Sequence, residues 1–164
     1  MVEADAEDFS KGEAGGSGVE RVAAGDLKKG DLCMIKGHPC KVVNFSTAKV
    51  GKHGSAKAMV TGIDIFTSNK YEATFGSGDM IDAPITKRVE YSLLNIDDDG
   101  YLSLLTDSGE TKEDVQLPTD DWLKDVVSRT KQIFEAGEKE CLVTVLAALG
   151  QEKVIAVREG KDND

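Results

Sequence analysis

The chain of 164 residues is 40% hydrophobic, 5% aromatic and 30% charged, which is typical of one or two small globular domains and excludes a large multidomain enzyme. The longest apolar run, Cys141 to Leu149, is too short to span a membrane, and the acidic N-terminus resembles neither a secretory signal nor a transit peptide. We therefore expect a cytoplasmic protein that does not bind membranes. Three cysteines without CxxC spacing (Cys33, Cys40 and Cys141) indicate buried, reduced thiols rather than disulfides.

The N-terminal half divides into a tail and a predicted β domain. Residues 1–20 are small, polar and acidic and lack the apolar side chains that would offset the entropy cost of ordering, so we expect a disordered tail. From Asp31 the pattern changes to short β-type runs separated by glycines and polar turns. These runs are 32–35, 41–45, 58–66 and 71–75. They predict a small β-barrel domain over residues 21–87.

A second domain is predicted over residues 88–164, because the segment 82–88 has no clear period and the charge changes sign at its end. Three β runs, a helix and two further β runs are the order expected of a five-stranded OB-type barrel, a fold that commonly binds oligonucleotides. The β runs are 89–96, 101–105, 111–117, 140–147 and 153–158.

One helix interrupts this second set of strands. Pro118 and Thr119 signal its start, and apolar residues continue at helical spacing up to Gly137. We expect Trp122, near the start of the helix, to pack in the core rather than to stack on a nucleic-acid base. The predicted fold class is therefore mostly β, with one inserted α-helix.

The charge is distributed unevenly. The net charge is −10 overall, but residues 1–30, 31–88 and 89–164 carry −3, +3 and −10. No carboxylate lies between Asp31 and Asp64, whereas five lysines and both histidines do. Such a segment is either a chance cluster on a solvated face or a surface that meets a polyanion, and we favour the second interpretation.

Motifs for catalysis and for metal binding are weak. His38 and His53 both lie in the carboxylate-free window, so a catalytic triad would need an acid from elsewhere in the fold, which we do not expect. The sequence around Lys52 lacks the spacing and the following Ser or Thr of a P-loop. The turn 97–100 is too compact for a calcium-binding EF-hand. We therefore predict no catalytic residue, no metal and no cofactor.

The loop over residues 46–57 reads SerThrAlaLysValGlyLysHisGlySerAlaLys and lies between two β runs. Its two glycines permit positive φ and a close approach to another surface, and they bracket Lys52. A hairpin tip of this kind would present Lys52 outward with further lysines nearby to meet phosphates. The plain alternative is a mobile loop with surface lysines. The residues expected to contact RNA are Lys49, Gly51, Lys52, His53, Gly54 and Lys57.

This loop closely resembles the hypusine loop of the eukaryotic translation initiation factor 5A family. The likeness continues through residues 61–67, 99–105 and 107–110 and extends over most of the chain outside the tail. In that family the second lysine of the loop receives an aminobutyl group from spermidine through deoxyhypusine synthase and is then hydroxylated to hypusine. By position this lysine is Lys52. The resemblance also implies an SH3-like N-terminal barrel followed by a C-terminal OB-fold domain.

The resemblance further implies a function. Family members bind the ribosome on its exit-site side, direct the modified side chain at the acceptor end of the peptidyl-tRNA, relieve stalls at consecutive prolines and assist termination, without catalysing a reaction themselves. The implied partners are ribosomal RNA, peptidyl-tRNA, deoxyhypusine synthase and deoxyhypusine hydroxylase, and we expect a monomer. Val50 and Ser55 depart from the threonine and histidine of animal and fungal members. The residues alone also permit a general RNA-binding module without modification or, less favoured, an enzyme with Lys52 as nucleophile.

Overall fold

The computed structural model describes residues 18–49 and 56–163. The chain divides into two compact units, Met1–Ile85 (unit 1) and Thr86–Asp164 (unit 2). The change of unit thus falls two residues before the boundary predicted from the sequence. Both units consist mainly of antiparallel strands, and the described residues contain one α-helix, which confirms the mostly-β fold class.

Unit 1 contains a four-stranded and a two-stranded antiparallel sheet. The four-stranded sheet has the order β2-β3-β4-β5, and the smaller sheet pairs β1 with β6. The strands are β1 Val19–Ala23, β2 Leu32–Ile35, β3 His38–Lys49, β4 Ala56–Asp64, β5 Lys70–Gly76 and β6 Met80–Pro84.

The sequence did not predict β1 and β6. Residues 19 and 20, expected in the tail, belong to β1, and residues 82–84, in the segment without a clear period, belong to β6. Arg21 joins the two strands by donating to the Asp82 carboxylate and to the Met80 carbonyl, each at 2.8 Å. Each strand is short and depends on a partner about sixty residues away, so neither has a strong local pattern.

The four-stranded sheet curls tightly at Gly62. A Cβ at this position would lie 2.7 Å from Cys40 Cβ and 2.9 Å from Ile35 Cδ1, closer than a side chain allows. The absent side chain lets β4 approach the β2–β3 hairpin and close the core. Buried residues of this core include Cys33, Cys40 and Val42. All three cysteines of the protein are free and buried, as expected.

Unit 2 is a five-stranded sheet of order β11-β10-β7-β8-β9 with one helix. Its strands are β7 Lys87–Ile96, β8 Tyr101–Leu105, β9 Thr111–Gln116, β10 Lys139–Ala148 and β11 Gln151–Asp162. The helix α1, Lys124–Ala136, lies between β9 and β10 in the chain and packs against β10 and β11. This is the predicted OB-type order of three strands, a helix and two strands.

Lys112 joins the two edges of this sheet. Its Nζ lies 2.8 Å from Asp114 on β9 and 2.9 Å from Glu152 on β11. Burial opposes a charge here, but the hydrogen bonds that Lys112 donates to the two carboxylates raise the pKa of Lys112, so the ammonium remains charged. The Lys112–Glu152 ion pair links β9 to β11, the two edge strands of the sheet, whereas the pair with Asp114 lies within β9.

The helix begins differently from the sequence prediction. A 3₁₀ turn over Asp121–Leu123 precedes α1, and Leu123 is 1% exposed whereas Trp122 is 42% exposed. The expectation that Trp122 anchors the core is therefore wrong, because the turn directs the next residue inward instead. Among the described residues, no helix is long and apolar enough to cross a membrane.

Candidate functional site

The carboxylate-free window folds into β2, β3 and β4. In the described part of the chain, β2 covers only residues 38–41 of β3, and beyond a register shift near Val43 the remainder of β3 pairs with β4 alone. Residues 46–49 are exposed. Residues 46–49 of β3 and 56–59 of β4 carry the ends of the segment 50–55 and are termed the arm; β5 pairs with residues 57–59 on the other side of β4.

Two of the six predicted contact residues lie on this arm. Lys49 is the last residue of β3 and pairs with Ala56, and Lys57 on β4 pairs with Ala48. Both lysines are exposed. The other four, Gly51, Lys52, His53 and Gly54, lie outside the described residues. The structure thus places the two lysines that flank the segment and fixes the strand ends between which Lys52 lies in the chain.

Lys49 and Lys57 point to opposite faces of the arm. Along β4 the residues 58, 60, 62 and 64 are buried, so Lys57 lies on the outer face of the sheet. Lys49 pairs with Ala56, which has the parity of the buried residues, and therefore lies on the other face. The sequence predicted that both lysines lie near Lys52 and meet phosphates with it. The register separates them, because they stand in adjacent rows of the ladder.

Lys57 shares its face with two further lysines. Ile63 on β4 pairs with Lys41 on one side and with Lys70 on the other, so these three residues form one row across the sheet. Ile63 and Lys57 both have the outward parity of β4. Lys70 lies outside the carboxylate-free window, and the sequence did not identify it as part of this surface. Only the strand register brings it into the same row as Lys41. Glu72, which pairs with Thr61, contributes one carboxylate to the same face.

The start of β4 is held by a relay of backbone hydrogen bonds. The Ser77 N–H donates to the Ala56 carbonyl at 3.0 Å, and the Ser77 carbonyl accepts from the Gly25 N–H at 2.9 Å. The Asp79 carboxylate accepts from the Gly76 N–H at 2.8 Å and shapes the turn after β5. A Cβ at Gly25 would lie 2.7 Å from the Ser77 oxygen. The sequence did not single out Gly25 or Ser77, because their contact spans about fifty residues.

A carboxylate faces His38, contrary to expectation. The Asp64 carboxylate, 4% exposed, lies 3.3 Å from His38 Nδ1 and accepts backbone hydrogen bonds from Phe66 and Thr67. The imidazole also stacks on Tyr71, with ring centroids 4.1 Å apart and an interplanar angle of 9°. Asp64 is the residue at which the carboxylate-free window ends, and in the strand register it pairs with Cys40.

Cys40 beside this pair does not have the character of a nucleophile. Burial, followed by Asp64 and then by Cys33, raises the pKa of the Cys40 thiol to about 12. A catalytic cysteine needs a lowered pKa and access to solvent, and Cys40 is fully buried. The His38–Asp64 pair instead ties the β2–β3 hairpin to the turn after β4. In the described ranges, no group of three or more His, Cys, Asp and Glu side chains has the geometry to hold a metal ion.

Comparison with known proteins gives the same organisation for both halves of the chain. Residues 17–79 match the family described as "Translation initiation factor 5A-like, N-terminal". Residues 85–158 match the family described as "Eukaryotic elongation factor 5A hypusine, DNA-binding OB fold". The two matches leave residues 1–16, 80–84 and 159–164 uncovered.

Individual relatives align over almost the whole chain. Eukaryotic translation initiation factor 5A-3 of Arabidopsis thaliana is 45% identical over 155 residues, which are 94% of this chain and 96% of the relative. The Dictyostelium discoideum factor 5A is 44% identical over 154 residues, 94% of this chain and 93% of the relative.

Solved structures agree with the sequence matches. A translation initiation factor 5A family protein from Naegleria fowleri has a TM-score of 0.80 at 38% identity, over 85% of this chain and 98% of that one. The factor 5A from Methanococcus jannaschii has a TM-score of 0.64 at 32% identity, over 86% and 96%. This chain therefore belongs to the translation initiation factor 5A family.

Proposed function

We propose that the chain is a ribosome-bound translation factor that promotes peptide-bond formation at stalled sites such as consecutive prolines and assists termination. In this proposal Lys52 carries hypusine and reaches toward the acceptor end of the peptidyl-tRNA. The observation that carries the proposal is the sequence of residues 46–57, which joins the two strands of the arm in a chain that matches a hypusine family. The proposed partners are ribosomal RNA, peptidyl-tRNA, deoxyhypusine synthase and deoxyhypusine hydroxylase.

The arm suits contact with nucleic acid. Its lysines lie in a segment of 32 residues without a carboxylate, so phosphates approach it without the repulsion that the net charge of the whole chain would cause. Lys41, Lys57 and Lys70 add positive charge to the outer face of the same sheet. Lys49 supplies a cation on the other face of the arm.

Modification extends the reach of Lys52. Spermidine donates an aminobutyl group, which lengthens the side chain by four carbons and a second amine, and hydroxylation adds a hydrogen-bonding group. The long cation holds the acceptor end of the peptidyl-tRNA in a reactive geometry. Positioning of this kind lowers the activation barrier to peptide-bond formation by several kcal/mol, on the order of the entropy of orientation, although the factor catalyses no reaction itself. The chain acts as a monomer in the cytoplasm and uses no metal or cofactor.

The first experiment is the intact mass of the protein purified from its own cells, with peptide sequencing across residues 49–57. We expect the added mass of an aminobutyl group and a hydroxyl at Lys52. Unmodified Lys52 in growing cells would contradict the proposal and favour the alternative of a general RNA-binding module, whose affinity depends on salt and not on modification.

The second experiment replaces Lys52 by arginine. Arginine keeps the positive charge but cannot accept the aminobutyl group, so the Lys52→Arg protein folds, stays unmodified and does not relieve stalled synthesis of proline-rich peptides. Lys124→Arg, an equivalent change on the exposed face of α1, serves as the control and keeps full activity. Full rescue by Lys52→Arg would refute the role of Lys52.

A further inference from the structure

An exposed apolar surface lies on the outer side of the sheet in unit 2. Leu94, Tyr101 and Leu105 are 47%, 42% and 40% exposed. Side chains alternate along β8, so Tyr101 and Leu105 lie outside the barrel with Ser103 between them. Leu94 lies at the register shift between β7 and β8, beside this face. These four residues are termed the outer β8 surface.

The charge around the outer β8 surface is strongly negative. Residues 89–117 contain eight carboxylates and one basic side chain, Lys112; Glu90 pairs with Arg158 and Asp114 with Lys112, which leaves six carboxylates outside these two pairs. The Lys112 side chain is only 20% exposed and forms ion pairs with Asp114 and Glu152. Because its charge is already balanced, it does not offset the carboxylates on the outer side.

Carboxylates lie at the middle of β8 and in the turns at its two ends. Glu113 on β9 accepts a hydrogen bond from Ser103 Oγ at 3.3 Å, which holds its carboxylate next to the middle of the surface. The turn 97–100, with three exposed aspartates, precedes Tyr101. The turn 107–110, with an exposed Asp and Glu, follows Leu105. The exposed apolar side chains of β8 therefore have one carboxylate near their middle and an acidic turn at each end.

Nucleic acid does not fit this pattern. Binding of an oligonucleotide needs cations for the phosphates, and on an acidic face the phosphates are repelled. Exposed apolar patches with a polar rim are typical of protein–protein contacts, and complementary charge selects the partner. Leucine and tyrosine are best covered by apolar side chains, and the carboxylates are best met by lysine or arginine.

We propose that the outer β8 surface docks a polypeptide segment that combines basic and apolar side chains, rather than nucleic acid. The apolar side chains of the partner cover Tyr101, Leu105 and Leu94, and its cations pair with Glu113 and with the acidic turns at both ends of β8. The proposal concerns unit 2 alone and does not depend on modification of Lys52, so it stands or fails separately from the proposed function.

Titration of the isotope-labelled full chain, followed by NMR, tests the proposal. The probes are a short amphipathic peptide of lysine and leucine, its counterpart with glutamate in place of lysine, and an oligouridylate. We expect the lysine peptide to shift the amide signals of Tyr101, Ser103, Leu105 and Glu113, and the other two probes to leave them unchanged. Shifts of these signals by the oligouridylate, or lysine-peptide shifts located elsewhere in unit 2, would overturn the proposal.

Two variants and a control separate docking at this surface from general attraction to an acidic protein. Glu113→Lys reverses the central charge and lowers the affinity for the lysine peptide about tenfold, which corresponds to about 1.4 kcal/mol. Leu105→Ser removes apolar contact and lowers the affinity about fivefold. Glu135→Lys makes the same change of net charge at an exposed position of α1 and leaves the affinity for the lysine peptide within about twofold of the wild-type affinity. Equal losses in Glu113→Lys and Glu135→Lys would refute a specific surface.

Discussion

Replacement of Gly25 by alanine tests the backbone relay that holds the start of β4. An ideal Cβ at Gly25 would lie 2.7 Å from the Ser77 oxygen and 3.2 Å from Ser77 Cβ. Since a Cβ is not found this close to a backbone oxygen, either the 3₁₀ turn at residues 24–26 or the Ser77 turn has to move. That movement lengthens the hydrogen bond from the Gly25 N–H to the Ser77 carbonyl, which is 2.9 Å.

The expected cost follows from three contributions. Overpacking of a close contact costs about 1–3 kcal/mol, and weakening of the hydrogen bond adds about 1 kcal/mol. Alanine lowers the conformational entropy of the unfolded chain relative to glycine, which stabilises the folded state by about 0.5–1 kcal/mol and partly offsets the loss. We therefore expect Gly25→Ala to lower the free energy of unfolding of unit 1 by about 2 kcal/mol.

Urea unfolding followed through the NMR signals of unit 1 measures this loss. Gly78→Ala is a matched control in the adjoining turn, because a Cβ there meets no atom within 4 Å. It is expected to leave the stability within about 0.5 kcal/mol of the original. Wild-type stability of Gly25→Ala would refute the steric argument.

Two further predictions follow from perturbed pKa values. Burial, assisted by Asp64, raises the pKa of Cys40 to about 12. We therefore expect iodoacetamide at neutral pH to leave Cys40 unlabelled in the folded chain and to label it in urea, as measured by mass spectrometry. Rapid labelling of the native protein would contradict the burial argument. The bidentate hydrogen bond from Arg158 lowers the pKa of Glu90. The pair therefore stabilises the fold fully at pH values above the ordinary pKa of a glutamate, and this stabilisation is lost as the pH falls through the lowered pKa of Glu90. Arg158→Gln is therefore less stable than the original at neutral pH, and the difference in urea midpoint disappears in acid. A difference that stays constant with pH would mean that the ion pair is not its cause.

The sequence predicted the strands whose pattern is local and missed those whose pairing is distant. Leu32–Ile35 and Tyr101–Leu105 have their predicted bounds, because alternation and glycine-containing turns mark both ends. β3 extends four residues beyond its predicted end at Phe45, through polar residues that only the pairing with β4 identifies as strand. β1 and β6 form because each lies beside the other in the folded unit.

The candidate site was predictable in its residue types and less so in its geometry. The loop sequence and the missing carboxylates marked Lys49 and Lys57, and the structure places both on the arm. The sequence did not reveal the supporting contact of Gly25 with Ser77, nor the Asp64 carboxylate beside His38. Contacts of this kind depend on the strand register, and one register step is enough to move a side chain to the opposite face of a sheet.

That register step makes the salt dependence of RNA binding a test of the arm's geometry. Lys57 lies on the outer face together with Lys41 and Lys70, whereas Lys49 lies on the other face, so a single strand of RNA bound to the outer face meets Lys57 and not Lys49. On a single strand, each lysine–phosphate contact contributes about 0.7 to the slope of log affinity against log salt. We expect Lys57→Gln to reduce the slope for an oligouridylate by about 0.7 and Lys49→Gln to leave it unchanged, in fluorescence titrations over a range of salt concentrations. Equal reductions in both variants would mean that the strand passes over the tip and uses both faces, contrary to the register argument.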